Sequence, residues 1–200
     1  MSHFEFLYAA VFGDILVCEN FEGDTPRYRF TANQYFHMRM VQKYYLTMPI
    51  GDDGRQLAIT KELRKPVALL DQRANEILSG QVSDLKYLLY SSHDDAIANT
   101  IMFMQPLEHV LIDIPFASSI YMELHYEQAC IDKIKDRTCF TVQVFHNNTP
   151  LKFDTCIQAN AKRGSQSDVC QIDDFLAHWD KVKYPGDVME GCAQPYVPSI

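Results

Sequence analysis

Residues 32–48 carry apolar side chains at four-residue steps: Ala32, Phe36, Met40, Tyr44 and Met48, with Val41 and Tyr45 beside them. That spacing keeps one helical face apolar and predicts a packed amphipathic helix. Thr31 suits its amino-terminal cap, and Pro49 with Gly51 ends the run. A second helix is expected over 66–78. Val67, Leu70, Ala74, Ile77 and Leu78 share a face there, while Asp71, Arg73 and Glu76 turn to water. Pro66 fits the first helical position and Gly80 the exit. Between the two helices, Gly51-Asp52-Asp53-Gly54 reads as a turn, without the alternating oxygen ligands and closing glutamate of a calcium loop. The apolar start at 4–18 is interrupted by Glu5, Gly13 and Asp14 and reads as an ordinary core element, followed by a loop over 19–28.

Further along, the period changes. Residues 85–90 (LKYLLY) are a short, nearly continuous apolar run, the pattern of a strand buried on both faces. A helix is expected over 96–103. In 119–126, Ile120, Met122, Leu124 and Tyr126 alternate with Tyr121, Glu123 and His125. In 139–145, Phe140, Val142 and Val144 alternate with Thr141, Gln143 and Phe145. Period two predicts strands in both. A last helix is expected over 172–181, with Phe175, Leu176 and Trp179 on one face, and an irregular tail after it. The fold class is therefore α/β. It is organised as one domain over 1–200, with a helical portion over about 19–84 and a sheet portion over 85–200.

Composition narrows the function. Eighteen basic residues against twenty-six acidic ones leave a net charge of −8, unsuited to gripping a phosphate backbone, so nucleic acid is not an expected partner. No apolar stretch reaches the roughly 18 residues of a membrane helix, and no basic leader precedes the apolar start, so it is a poor signal peptide. Six cysteines stand at 18, 130, 139, 156, 170 and 192, with no Cys-x-x-Cys pair, which leaves a zinc ribbon or thioredoxin-type site unsupported. Five of them follow residue 129, a clustering that suggests stapling of an extracellular fold. Cys130 and Cys139 lie near the facing ends of two expected strands and suit a disulfide closing that hairpin, although six cysteines allow 15 pairings.

The local candidate for chemistry is His93-Asp94, between the 85–90 strand and the following helix. Open α/β sheets bind ligands at the carboxyl ends of their strands. Imidazole can donate hydrogen bonds to phosphoryl oxygen, and a positioned carboxylic acid can protonate a leaving oxygen. Helix amides at the junction favour an anion. The same two residues could instead simply cap the helix.

The order of surrounding segments adds weight. Leu88-Leu89-Tyr90-Ser91-Ser92-His93-Asp94, Pro115-Phe116-Ala117-Ser118-Ser119, Met122-Glu123-Leu124-His125-Tyr126 and Phe140-Thr141-Val142-Gln143-Val144-Phe145-His146-Asn147 follow one another. This resembles the carboxyl-terminal half of the histidine acid phosphatases; Asn75-Glu76-Ile77-Leu78 and Cys18-Glu19-Asn20 also look like family positions. The resemblance covers most of the chain from about Cys18.

By that resemblance the fold is part of a histidine-phosphatase-like domain, a central sheet flanked by helices with an antiparallel hairpin. His93 contacts the phosphate, and Asp94 is the catalytic proton donor to the leaving group of a phosphate monoester. Cys156 and Cys170 match a local disulfide pair. The compartment is secretory, lysosomal or extracellular, and neither a cofactor nor a metal is implied. An ordinary aspartate has a pKa near about 3.9, which fits chemistry at acid pH. The family's nucleophile, a histidine in Arg-His-Gly-x-Arg, has no counterpart in these 200 residues. His37, two residues before Arg39, falls on an expected helix surface. Without nucleophile and arginine clamp, the route through phosphohistidine is closed to this chain alone. Three further departures stand out: Asp95 where the family has threonine, Ser119 where many members have the cysteine that would pair with Cys18, and Cys192 with its partner expected in the absent half. Asn147-Asn148-Thr149 is a glycosylation sequon, followed by Pro150. A partner chain completing the sheet is therefore expected, as is self-association of the chain alone through an unpaired strand edge.

Overall fold

The computed structural model describes residues 3–23, 29–47, 51–109 and 114–195. The loop expected over 19–28 is corrected in part: residues 19–22 are helical, and 24–28 lie outside the described residues, as do the helix exit at Pro49 and the chain beyond Pro195. The described residues form two compact units, Met1–Gly51 and Asp52–Ile200.

The first unit is a helical hairpin of α1 (His3–Glu22) and α2 (Ala32–Thr47). The helix expected over 32–48 forms over the described part, Ala32–Thr47, and its start is a capping box. The Gln34 amide hydrogen is accepted by Thr31 Oγ1 at 3.3 Å, and the Thr31 amide donates to Gln34 Oε1 at 3.0 Å. Gly13 lets the helices approach: a Cβ there would stand 3.0 Å from the Met38 carbonyl oxygen. Gln42, buried beside it, donates to Asp14 Oδ1 at 2.9 Å.

Apart from its first residue, α3 (Gly51–Ser79) belongs to the second unit. Here the expectation of a turn at 51–54 and a helix starting at Pro66 is corrected, because one helix of 29 residues runs through both. Asp52 and Asp53 sit in its first turn, where carboxylates complement the positive helix end. Ile59, Leu63, Val67, Leu70, Ala74 and Ile77 keep one face against the core on both sides of Pro66. Packing of that continuous face outweighs the interior proline, whose cost is about 3 kcal/mol.

Next come α4 (Asp94–Met104), β1 (Ile120–Tyr126), α5 (Gln128–Lys133), a 3₁₀ turn (Arg137–Cys139), β2 (Phe140–His146), β3 (Thr149–Pro150), α6 (Asp154–Lys162), β4 (Cys170–Gln171), α7 (Ile172–Val182) and α8 (Val188–Ala193). The sheet is antiparallel and four-stranded. β1 runs the full length of β2, from Ile120 opposite His146 to Tyr126 opposite Phe140. The other side of β2 takes β3 at one end, Phe145 opposite Pro150, and β4 at the other, Val142 opposite Cys170. Both alternating segments are strands as expected. In β2 Phe140, Val142 and Val144 are buried, whereas Thr141, Gln143 and Phe145 are only partly so.

Their buried face meets α7 through Ile172, Phe175 and Trp179, and α3 through Val67 and Ala74. Phe140, Phe153 and Phe175 are fully enclosed, each worth about 1.5–3 kcal/mol relative to exposure. Cys130–Cys139 closes the β1–β2 connection, and Cys156–Cys170 ties α6 to β4, as expected for both pairs. Cys18 and Cys192 are free and exposed. The expected irregular tail contains α8, started by Asp187, whose Oδ1 accepts from the amides of Met189 and Glu190 at 2.7 and 3.0 Å.

The strand expected over 85–90 does not form. Residues 81–93 belong to no helix or ladder, and Leu85, Tyr87, Leu88, Leu89 and Tyr90 are all exposed. Apolar content gives the run its capacity for burial. A strand also needs a second backbone beside it, and no described segment lies there. Among the described residues no helix is long and apolar enough to cross a membrane.

Candidate functional site

His93 and Asp94 sit where the open segment becomes α4. His93 is the cap residue, with extended backbone (φ −118°, ψ 171°), and its carbonyl accepts from the Ile97 amide at 3.2 Å. Its side chain makes no capping bond. Asp94 and Asp95 occupy the first turn. Asp94 Oδ1 accepts the Asp95 amide at 3.0 Å, and Asp95 Oδ1 the Ala96 amide at 2.7 Å. All three side chains are exposed. This is the chemistry of an anion-favouring helix start, with its carboxylates turned onto their own neighbouring amides.

The rest of α4 is anchored from below. Ala98, Asn99, Thr100, Ile101, Phe103 and Met104 are buried. Arg55 of α3, itself buried, donates from Nε to Asn99 Oδ1 at 3.0 Å, and Asn99 Nδ2 donates to the Asp95 carbonyl at 2.7 Å. Asp52 meets the Arg55 guanidinium at 2.5 Å. A buried arginine thus holds the first turn of the candidate helix through one amide side chain. Sequence reasoning missed Arg55, and the only available signal was its spacing from Asp52, three residues earlier on what reads as a turn.

At the far end of α4, Phe103 packs on Trp179 with ring centres 5.8 Å apart. His178 Nε2 donates to the Met104 carbonyl at 2.8 Å. Burial pushes His178 below its usual range; Lys181 adds to this, and the Met104 carbonyl and Asp154 oppose it.

Two of the segments aligned by resemblance meet at the sheet. Asn147 turns with φ 54°, and its Oδ1 accepts the Ser119 amide at 2.9 Å. Ser118 Oγ lies 2.9 Å from His146 Nε2. The His109 ring stands edge-on to His146 at 5.3 Å, and His109 Nε2 is buried without a hydrogen-bond partner among the described residues. Burial first, and then His109, lowers the pKa of His146. The sequon asparagine is therefore part of a knot that joins the start of β1 to the end of β2. Glu123 and His125, expected on one side of β1, pair there in the open at 2.9 Å. His37 is exposed on α2, as expected, and its Nδ1 lies 2.7 Å from the Asn33 carbonyl.

A 40 Å³ cavity lies between β2, β3 and β4, lined by Val144, Leu151, Lys152 and Asp168 among others. An open polar depression of about 540 Å³ runs along α3 beside Asp71, Asn75 and Glu76. Neither includes the His-Asp pair. Among the described residues no group of three or more His, Cys, Asp and Glu is placed to hold a metal ion. No family model, curated protein or solved structure matches the chain.

Proposed function

We propose that this chain is the acid-donating portion of a histidine acid phosphatase-like phosphomonoesterase and does not turn over substrate alone. In this reading, the two-residue junction at 93–94 supplies one phosphate contact and the proton for the leaving oxygen. The nucleophilic histidine and the arginines that clamp phosphate come from outside these 200 residues. The observation that carries the reading is the junction itself. A run of large apolar residues, exposed and without a backbone partner among the described residues, leads directly into His93 and Asp94 on a helix whose remaining turns are locked in the core. An apolar run exposed along its length suits a strand position in a sheet completed by other strands, and that completion would wall the pair into a cleft. The two disulfides suit an oxidising compartment.

A second reading, a non-catalytic binding or structural subunit of the same descent, is favoured by one observation. Asp94 and Asp95 already accept amides of their own helix turn, which is sufficient reason for carboxylates at that place.

The test is hydrolysis of a phosphate monoester at acid pH by the chain alone and together with a polypeptide carrying an Arg-His-Gly-x-Arg segment. Vanadate-sensitive activity is expected only in the mixture, and it is lost with Asp94→Asn and His93→Ala. Turnover by the isolated chain that survives both substitutions would remove the mechanism. An upstream reading frame without that segment would favour the second reading.

A further inference from the structure

Residues 82–92 make no backbone–backbone hydrogen bond among the described residues. Locally, the Leu85 amide donates to Ser83 Oγ at 3.3 Å, and the Ser83 side chain also hydrogen-bonds to Glu76. Val82 is 91% exposed, Leu85 48%, Tyr87 67% and Leu89 72%. From 85 to 92 the only charge is Lys86, and Asp84 stands two residues before it. An unpaired backbone rich in strand-forming residues is a template for pairing with another chain.

We propose that residues 82–88 form an antiparallel ladder with the same residues of a second copy, about a two-fold axis through Leu85. The charges select the occupant and the register. With Leu85 opposite its own copy, Asp84 faces Lys86 of the second copy and Lys86 faces its Asp84, so both symmetric contacts join opposite charges. Val82 then faces Leu88, and Ser83 faces Tyr87. Moving the axis to Tyr87 puts Asp84 opposite Tyr90 and Lys86 opposite Leu88, and both ion pairs are lost. Opposite charges directly across a ladder stabilise it, and like charges destabilise it. A two-fold contact is self-complementary and closed, so it ends at a dimer. The segment is short, which places the contact among weak, reversible interfaces. The catalytic reading pairs the same run with strands from outside the chain; the dimer concerns the chain by itself, and its test does not read turnover.

The experiment uses the full chain with the two exposed thiols replaced (Cys18→Ser, Cys192→Ser), followed by sedimentation over a concentration series, with circular dichroism confirming that each variant is folded. A reversible monomer–dimer equilibrium is expected. Lys86→Asp, which sets like charges across both contacts, weakens it by roughly tenfold or more, and adding Asp84→Lys restores it. In the same background, Leu85→Cys oxidises to a covalent dimer because position 85 meets itself at the axis. Leu88→Cys does not, since position 88 meets position 82. A monomer at every concentration, open-ended aggregates, a dimer indifferent to Lys86→Asp, or cross-linking through position 88 as readily as through 85 would each overturn the proposal.

Discussion

His178 Nε2 lies 2.8 Å from the carbonyl oxygen of Met104, a residue at the end of a helix 74 positions earlier. The last carbonyls of a helix have no partner within it, and this one is met by a histidine that α7 holds 3% exposed in the core, stacked on Phe153 at 4.5 Å. The other ring nitrogen faces Thr155 Oγ1 at 3.2 Å. The bond fixes the far end of the helix that begins at His93 and Asp94. Replacing His178 with Phe keeps the stacking area but strands the Met104 carbonyl. Urea denaturation should show a loss of about 1–3 kcal/mol, the usual penalty for a buried polar group left unpaired.

The same histidine sets a pH response. Burial lowers its pKa in the folded state, and His146 is lowered by burial and by His109. In the unfolded chain both return to about 6.5. Below that value the unfolded state binds more protons than the folded state, so stability is lost as pH falls through 6.5 toward the folded values. Thermal unfolding followed from pH 7.5 to pH 5 should show Tm falling with acidity, with a shallower fall in His178→Gln. A Tm that holds steady or rises over that range would contradict the assignment of both rings as neutral in the fold.

Arg137 joins three side chains from two helices: Asp71 at 2.7 Å and Asn75 at 2.9 Å on α3, and Asp173 at 2.7 Å on α7. Its two carboxylate partners raise its pKa against the effect of burial. The guanidinium fork is what reaches all three. Arg137→Lys is expected to lose about 0.5–1 kcal/mol, the range of partly exposed pairs, and the difference between the two proteins should shrink in 1 M salt.

Cys156 is fully buried and Cys170 nearly so, and the bond between them closes 14 residues of chain. Constraint of the unfolded chain by a loop of that length is worth about 3 kcal/mol. Calorimetry of the double Cys156→Ala, Cys170→Ala variant should show a loss of that order. A near-neutral result would mean that the pair adds little to what α6 and β4 already hold.

Pro66 breaks the hydrogen-bond ladder of α3 without interrupting its apolar face. Pro66→Ala restores an amide to the middle of a 29-residue helix. It is expected to stabilise the protein by up to about 3 kcal/mol, read as a rise in urea midpoint at unchanged slope.

Elements that rest on local signals are legible in the amino-acid sequence itself. Alternation in β1 and β2, the Thr31 cap and the apolar face of α7 each need only residues a few positions apart, because side-chain period is a short-range property; Cys130–Cys139 follows from the facing ends of two expected strands, whereas Cys156–Cys170 is implied only by the family resemblance. The candidate pair at 93–94 is legible in the same way, as two adjacent residues between a strand-like run and a helix start. Three things are decided only by distant contacts. α3 extends from Gly51 because its face is packed over its whole length, which local glycine and proline signals cannot register. Arg55 reaches Asn99, and His178 reaches Met104, by bringing separate helices together. Residues 85–90 have no ladder partner among the described residues, because a ladder requires a second backbone, and apolar content inside one segment carries no information about whether such a neighbour exists.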